Sequence, residues 1–252
     1  MTTIDLNSDM GEYESAEALA CEAELMPLIT SVNIACGVHA GNPDLMRRTA
    51  TLAARHGIAI GAHPGFPDAD DFGRRDRQTS PDTVASLVST QLTALTDVLA
   101  LEHLTVTHVK LHGALYHLAA RDRAVADAVA RAVAIFDPRL LLFALAGSVL
   151  VTSGQIAGLA VVQEAFADRA YRGDGALVRR FESGALLQTE QEVRRQLREI
   201  LNGYVTSIDG RRVLLHADSL CMHADTPRAV EFVRLMRSEI ESAGIRIVKA
   251  HA

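Results

Sequence analysis

Short apolar runs and helical patterns alternate from one end of this chain to the other, and no other feature restricts the fold as much. The runs "TIDLNSD", "SVNIAC", "IAIGA", "TVTHVK", "LLLFAL" and "AVVQEAF" each read as a short strand that a sheet would bury. Between them lie helix signals: a weak pattern around 22–29, Asn42 as N-cap before Pro43 with a stop at Gly57, and Ser80 before Pro81. Further helical patterns fall near 113–134 and 147–157. The last third adds a capping box at Thr189 and Glu192, a hairpin on the Asp-Gly of "VTSIDGRRVLL", and a final capped helix in "TPRAVEFVRLMRSEIESAG". About seven parallel-type strands with short βα steps predict an α/β fold. No linker divides it, so residues 1–252 read as one domain, a seven- or eight-stranded (β/α) barrel. A doubly wound open sheet is the alternative.

Charge and composition narrow the function classes. A net charge of −6 with no Lys/Arg run argues against a nucleic-acid surface. The N-terminus enters a strand pattern directly and carries acids where a signal peptide needs an apolar core; no apolar run is read as a membrane span. A cytoplasmic protein is therefore expected. Cys21, Cys36 and Cys221 have no C-x-x-C spacing and read as packing residues in a reducing compartment. Among 25 basic side chains only Lys110 and Lys249 are lysine. A lysine kept in an arginine background points to a need for a compact ammonium, and Lys110 sits inside "HVKLHGALYH".

In a parallel barrel, chemistry gathers where the strands end at their carboxyl termini. Polar residues recur at those points. Asp5, Asn7 and Asp9 share one face of the first strand; His39 and His63 follow the second and third in glycine-rich turns; Lys110 and His112 close the fourth. Glu164, Asp168 and Arg169 follow the sixth, and "HADSLCMHAD" adds His216, Asp218, His223 and Asp225. Arg74, with Arg75, lies on the long loop after the third strand, where an arginine fork can hold a carboxylate. Such a mix of imidazole and carboxylate could bind a divalent metal, polarise an amide carbonyl or move protons. No phosphate loop, dinucleotide-binding glycine motif or nucleophile elbow is present.

The ordered set "DLNSDMGE", "SVNIACGVHAGNP", "GIAIGAHPGFPD", "FGRR", "VKLHGALYH", "EAFADRAY" and "HADSLCMHAD" resembles the LamB/YcsF family, the A subunits of 5-oxoprolinases, over nearly the whole chain. The resemblance implies a distorted barrel of the glycoside hydrolase/deacetylase type. It also implies ATP-dependent hydrolytic opening of 5-oxo-L-proline to L-glutamate with partner subunits B and C. On that reading Asp9 or Glu164 is the general base and Lys110 meets developing negative charge. His63 and His112 polarise the carbonyl or, with Asp5, ligate a divalent metal, and Asn7, His39, Arg74, Asp168 and Arg169 bind substrate. The alternatives are a metal-dependent carbohydrate N-deacetylase and a non-catalytic chain that presents substrate to its partners. Ser8, Leu111 and Ala224 replace the family's usual Cys, Pro and Gly; an alanine at 224 predicts strain if that turn needs positive φ.

Overall fold

The computed structural model describes residues 2–226 and 228–251. In chain order the elements are β1 (Thr3–Met10), α1 (Ala16–Leu25), a 3-10 turn (Met26–Leu28), β2 (Ser31–Ala35), α2 (Pro43–Arg55), β3 (Ala59–His63), α3 (Pro81–Ala100) and β4 (His108–Lys110). Next come α4 (Gly113–Arg121), α5 (Arg123–Phe136), β5 (Leu141–Leu145), α6 (Val149–Ile156) and β6 (Val161–Phe166). The chain ends with α7 (Glu190–Leu201), β7 (Tyr204–Thr206), β8 (Arg212–Leu214), β9 (Ser219–Cys221), α8 (Ala229–Ser242) and β10 (Arg246–Ile247).

Parallel pairing runs β1-β2-β3-β4-β5-β6-β9 and returns from β9 to β1, so seven strands close a barrel and the open-sheet alternative falls. At the amino end of β1, β10 pairs only with Thr3 and Ile4, an eighth strand that never enters the closure. The β7–β8 hairpin stands apart as an antiparallel pair.

Three of the expected caps form. Asn42 accepts from Asp44 N and Leu45 N, Ser80 accepts from Thr83 N, and Thr189 with Glu192 makes the reciprocal box. The final helix lacks one: α8 follows Arg228, at φ +64°, with no side-chain cap, and the Thr226 hydroxyl donates to Asp168 instead. Two helical expectations shift. The pattern near 113–134 splits in two because Asp122 turns extended and caps α5 by accepting from Val125 N. The weak helix begins at Ala16 rather than 22, because Ser15 accepts from Ala18 N, and it tightens to a 3-10 turn at Pro27. Contrary to the sequence reading, α3 is long and apolar enough by composition to cross a membrane. It packs instead against α2, α5 and β3, with Val84, Val88, Leu92, Leu95 and Leu99 buried.

Strand alternation divides the core in two. Leu6, Ile34 and Leu220 belong to the apolar layer under the helices. The barrel interior is largely polar: Asp5, Asn7, Ser31, Asn33, His108, Lys110, Glu164 and Ser219 are all buried. A small apolar cluster of Leu141, Phe143 and Val162, backed by Ala250, fills one side. Buried polar groups are tolerable only when paired, and these form a continuous hydrogen-bonded ladder.

Candidate active site

The ladder rises along β1 in three steps. At the lowest, Asp5 accepts from Thr30, Ser31 and Ser219 hydroxyls, and burial raises its carboxyl above the usual range despite those bonds. Its oxygens are spent on structural partners. The structure therefore does not bring Asp5 to His63 and His112, as the metal reading required. At the middle step, Asn7 donates to Glu164 and Ser219 and accepts from Asn33 and Lys110. Asn7 thus holds side chains together and has no group left over for substrate.

Lys110, 2% exposed, is the centre of the site. Its Nζ lies 2.8 Å from Glu164 Oε1, 2.9 Å from Asp9 Oδ1, 3.0 Å from Asn7 Oδ1 and 3.0 Å from Cys221 Sγ. Burial favours the neutral amine, but its anionic neighbours, Asp9 foremost, hold its pKa well above the ordinary lysine value. An ammonium has three protons. Four partners already claim them, so Lys110 acts on the pocket as a fixed positive charge rather than as a free donor. Glu164 is equally committed: its second oxygen accepts from Tyr116 OH at 2.9 Å, and the residue is fully buried. That geometry leaves Asp9, not Glu164, as the carboxylate of the pair that faces the pocket.

Above Asp9 lies an imidazole cluster. His63 Nε2 is 3.2 Å from Asp9 Oδ2 and 3.0 Å from His112 Nδ1. His39 stacks on His112 with centroids 3.9 Å apart and planes 4° from parallel. Burial pushes His39 down to about 3, and burial with the neighbouring His39 and His63 holds His112 well below its usual value. For Asp9, burial pulls upward but is outweighed by His63 and Lys110, which keep it an anion well below the carboxylate range. The glycines make this stacking possible: a Cβ on Gly65 would stand 2.7 Å from His39 Nδ1, and one on Gly73, at φ +64°, 3.0 Å from His39 Cβ and 3.1 Å from His112 Cδ2. His39 is buried beneath the pocket wall rather than lining it.

Glu12, on the turn that Gly11 makes after β1, is a site residue the sequence reading missed, as is Arg180 on Asp225. Glu12 Oε1 lies 3.5 Å from His39 Nε2 and 3.6 Å from His112 Nδ1, and burial pushes the carboxyl up to about 7. Only its place in "DLNSDMGE", three residues after Asp9, could have signalled it.

Opposite the imidazoles, Asp168 Oδ2 lies 2.9 Å from His223 Nδ1 and accepts from Thr226 Oγ1. Burial opposes the Asp168 anion, but His223 outweighs it and holds the carboxyl at about 2. Asp168 thereby orients His223, whose Nε2 reaches to 4.0 Å from Asp9 Oδ2. At the mouth, Asp225 pairs with both Arg74 and Arg180. Arg169 is turned inward, its Nη2 donating to Val178 O. His216 and Asp218 pair with each other ahead of β9, at the amino end of the barrel, and so take no part. Ala224 is not among the residues of positive φ, which removes the strain expected there.

These side chains line one pocket: Asp9, Glu12, His63, Lys110, His112 and His223 around its floor, the buried Arg169 in its wall, and Arg74, Arg179 and Arg180, more exposed, nearer the entrance. The class is thus a closed parallel (β/α) barrel with a carboxylate–imidazole site at the carboxyl ends of its strands. The chain belongs to the LamB/YcsF family, whose model matches residues 4–252. It is 45% identical over 248 residues, 98% of each chain, to the 5-oxoprolinase A subunit of Bacillus licheniformis. The lactam utilization protein of Thermus thermophilus superposes with a TM-score of 0.88 at 43% identity, covering 99% of this chain and all of that one. The Xyl-CE4 domain of a multidomain xylanase from the hindgut metagenome of Trinervitermes trinervoides shares the fold alone, with a TM-score of 0.51 at 9% identity, covering 99% of this chain and 87% of that one.

Proposed function

We propose that this chain is the A subunit of an ATP-dependent 5-oxoprolinase and carries the ring-opening site, working with subunits B and C. The observation that supports this most is the 45% identity to a 5-oxoprolinase A subunit over 98% of both chains. The site's chemistry agrees with it. 5-Oxo-L-proline has a carboxylate and an unactivated lactam, and the pocket offers arginines at the mouth and proton-handling groups at the floor.

Arg74 and Arg180, which pair with Asp225, take the substrate carboxylate in its stead. Phosphorylation of the lactam oxygen with ATP makes the ring carbon attackable by water; breaking the C–N bond then leaves an acyl phosphate on the side chain, which a second water hydrolyses to glutamate and phosphate. The chain shows no phosphate loop, so the nucleotide step is assigned to the assembled complex. Asp9, held anionic by His63 and Lys110, orients the attacking water or a protonated neighbour. His223, its Nδ1–H donated to Asp168, takes the proton of the attacking water at Nε2 and passes it to the departing ring nitrogen. Lys110 supplies the positive field under developing negative charge. Such ATP-coupled chemistry belongs in the cytoplasm, which three unpaired cysteines suit.

The test is reconstitution. The purified chain mixed with subunits B and C, ATP and 5-oxo-L-proline is expected to release glutamate. No release above that of B and C alone would overturn the proposal.

A further inference from the structure

Backbone carbonyls orient two of the imidazoles. His63 Nδ1 lies 2.8 Å from Lys110 O, and His112 Nε2 lies 2.8 Å from Phe72 O. A carbonyl can only accept, so both outer nitrogens carry hydrogen, and each neutral ring presents a lone pair on its inner nitrogen. Those inner atoms, His63 Nε2 and His112 Nδ1, are 3.0 Å apart. Two lone pairs so close, with the Asp9 carboxylate 3.2 Å from the same His63 Nε2, repel one another unless a proton or a cation lies among them.

A third donor faces the same point. Glu12 Oε1 is buried, 3.6 Å from His112 Nδ1, and makes no hydrogen bond among the described residues. The Glu12, His63 and His112 ligand atoms all lie within 4.8 Å of one another. Two nitrogens each about 2.1 Å from one ion stand roughly 3.0–3.4 Å apart for bond angles between a right angle and tetrahedral. The observed spacing falls in that range.

We propose that Glu12 Oε1, His63 Nε2 and His112 Nδ1 form a site for one divalent transition-metal ion of the zinc class. Two imidazoles and a carboxylate suit such an ion, and the carbonyls of Lys110 and Phe72 fix both rings from behind. The ligands come from the turn after β1, the end of β3 and the start of α4, so the ion ties three βα connections together. All three ligands line the pocket, which leaves the remaining coordination positions to a water or a carbonyl oxygen. This set replaces the Asp5-containing one, since Asp5 is engaged lower in the barrel.

The experiment is metal titration of the full chain after chelation and dialysis, read by elemental analysis for zinc, by the visible absorption of cobalt(II), and by thermal melting. One ion per chain, cobalt bands of a nitrogen-containing site and a raised melting temperature are expected. His63→Ala should abolish binding, and Glu12→Gln, which keeps the side-chain shape, should weaken it about tenfold or more. His216→Ala, at the opposite end of the barrel, should leave it unchanged. A folded wild-type chain that binds no stoichiometric metal would assign the gap between the rings to a proton and overturn the proposal. Binding unaltered in both site variants would overturn it as well. Because these readouts need neither partner subunits nor substrate, failure of the ring-opening reading would leave the metal result standing.

Discussion

Replacing Lys110 by methionine keeps the length of the side chain and removes its charge, and the structure sets the size of the effect. In the native chain the ammonium lies 2.9 Å from Asp9 and 2.8 Å from Glu164, both buried with it. Without it Glu164 is buried with no cation beside it, and Asp9 keeps only imidazole neighbours for counter-charge, His63 the nearest. Breaking a buried ion pair by removing one partner costs about 3–5 kcal/mol. For a chain of this length each kcal/mol moves the melting temperature by roughly 2–4 °C, so Lys110→Met should melt about 6–20 °C lower at pH 8. The sign of the pH dependence follows. In the variant a carboxylate that has lost its counter-charge has its pKa raised by burial above the unfolded value. It takes up a proton on folding, and the penalty shrinks as pH falls. The gap between wild type and variant should therefore be smaller at pH 5.5 than at pH 8. Circular dichroism melts at the two pH values measure it. A variant melting within 2 °C of wild type at pH 8, or a gap that widens on acidification, would refute the buried-floor assignment.

Other outcomes follow from the same geometry. Lys110→Arg keeps the charge but cannot seat a planar fork among four partners, so turnover of the reconstituted complex should fall about 10²–10³-fold, measured by steady-state kinetics. Asp168, held at about 2 by His223, contributes stability that is present above the unfolded pKa and lost as pH falls from about 4 to 2. Asp168→Asn should flatten that acid limb in melts while lowering kcat through the misoriented His223. Arg74→Ala should raise KM for 5-oxo-L-proline roughly tenfold or more with a smaller effect on kcat. Gly73→Ala would force an L side chain into φ +64° against His39 and His112, and should destabilise by about 1–3 kcal/mol in denaturant titrations. The chain alone should show no ATP hydrolysis, a result that a simple phosphate-release assay checks.

Alternation of strand and helix patterns made the barrel legible, because each βα step in a parallel closure imposes the same punctuation. Recurrence of histidines at strand ends likewise located His63 and His112. Depth was not legible. Asp5, Asn7 and Asp9 share one face of β1, but at about 3.3 Å per residue they span roughly 13 Å along the barrel. Only Asp9 reaches the pocket; the other two brace it from below. Lysine scarcity singled out Lys110, which the structure buries in the pocket floor, yet nothing in one-dimensional spacing shows that four partners surround its ammonium. Cys221 read as a packing residue and is one of those partners. Glu12 was missed because its position depends on the turn at Gly11, with φ +71°, which swings a loop carboxylate over the imidazoles. His216 and Asp218 were placed at the wrong end because β9 begins only at Ser219.

The central claim is that ring opening takes place in this chain's own strand-end pocket. The most direct measurement compares glutamate release by complexes of B and C with either the wild-type chain or His223→Asn, after size-exclusion chromatography shows that both assemble. Assembly without turnover in the variant, at least about 10²-fold below wild type, is the result the account predicts. An assembled His223→Asn complex that opens 5-oxo-L-proline at the wild-type rate would contradict it.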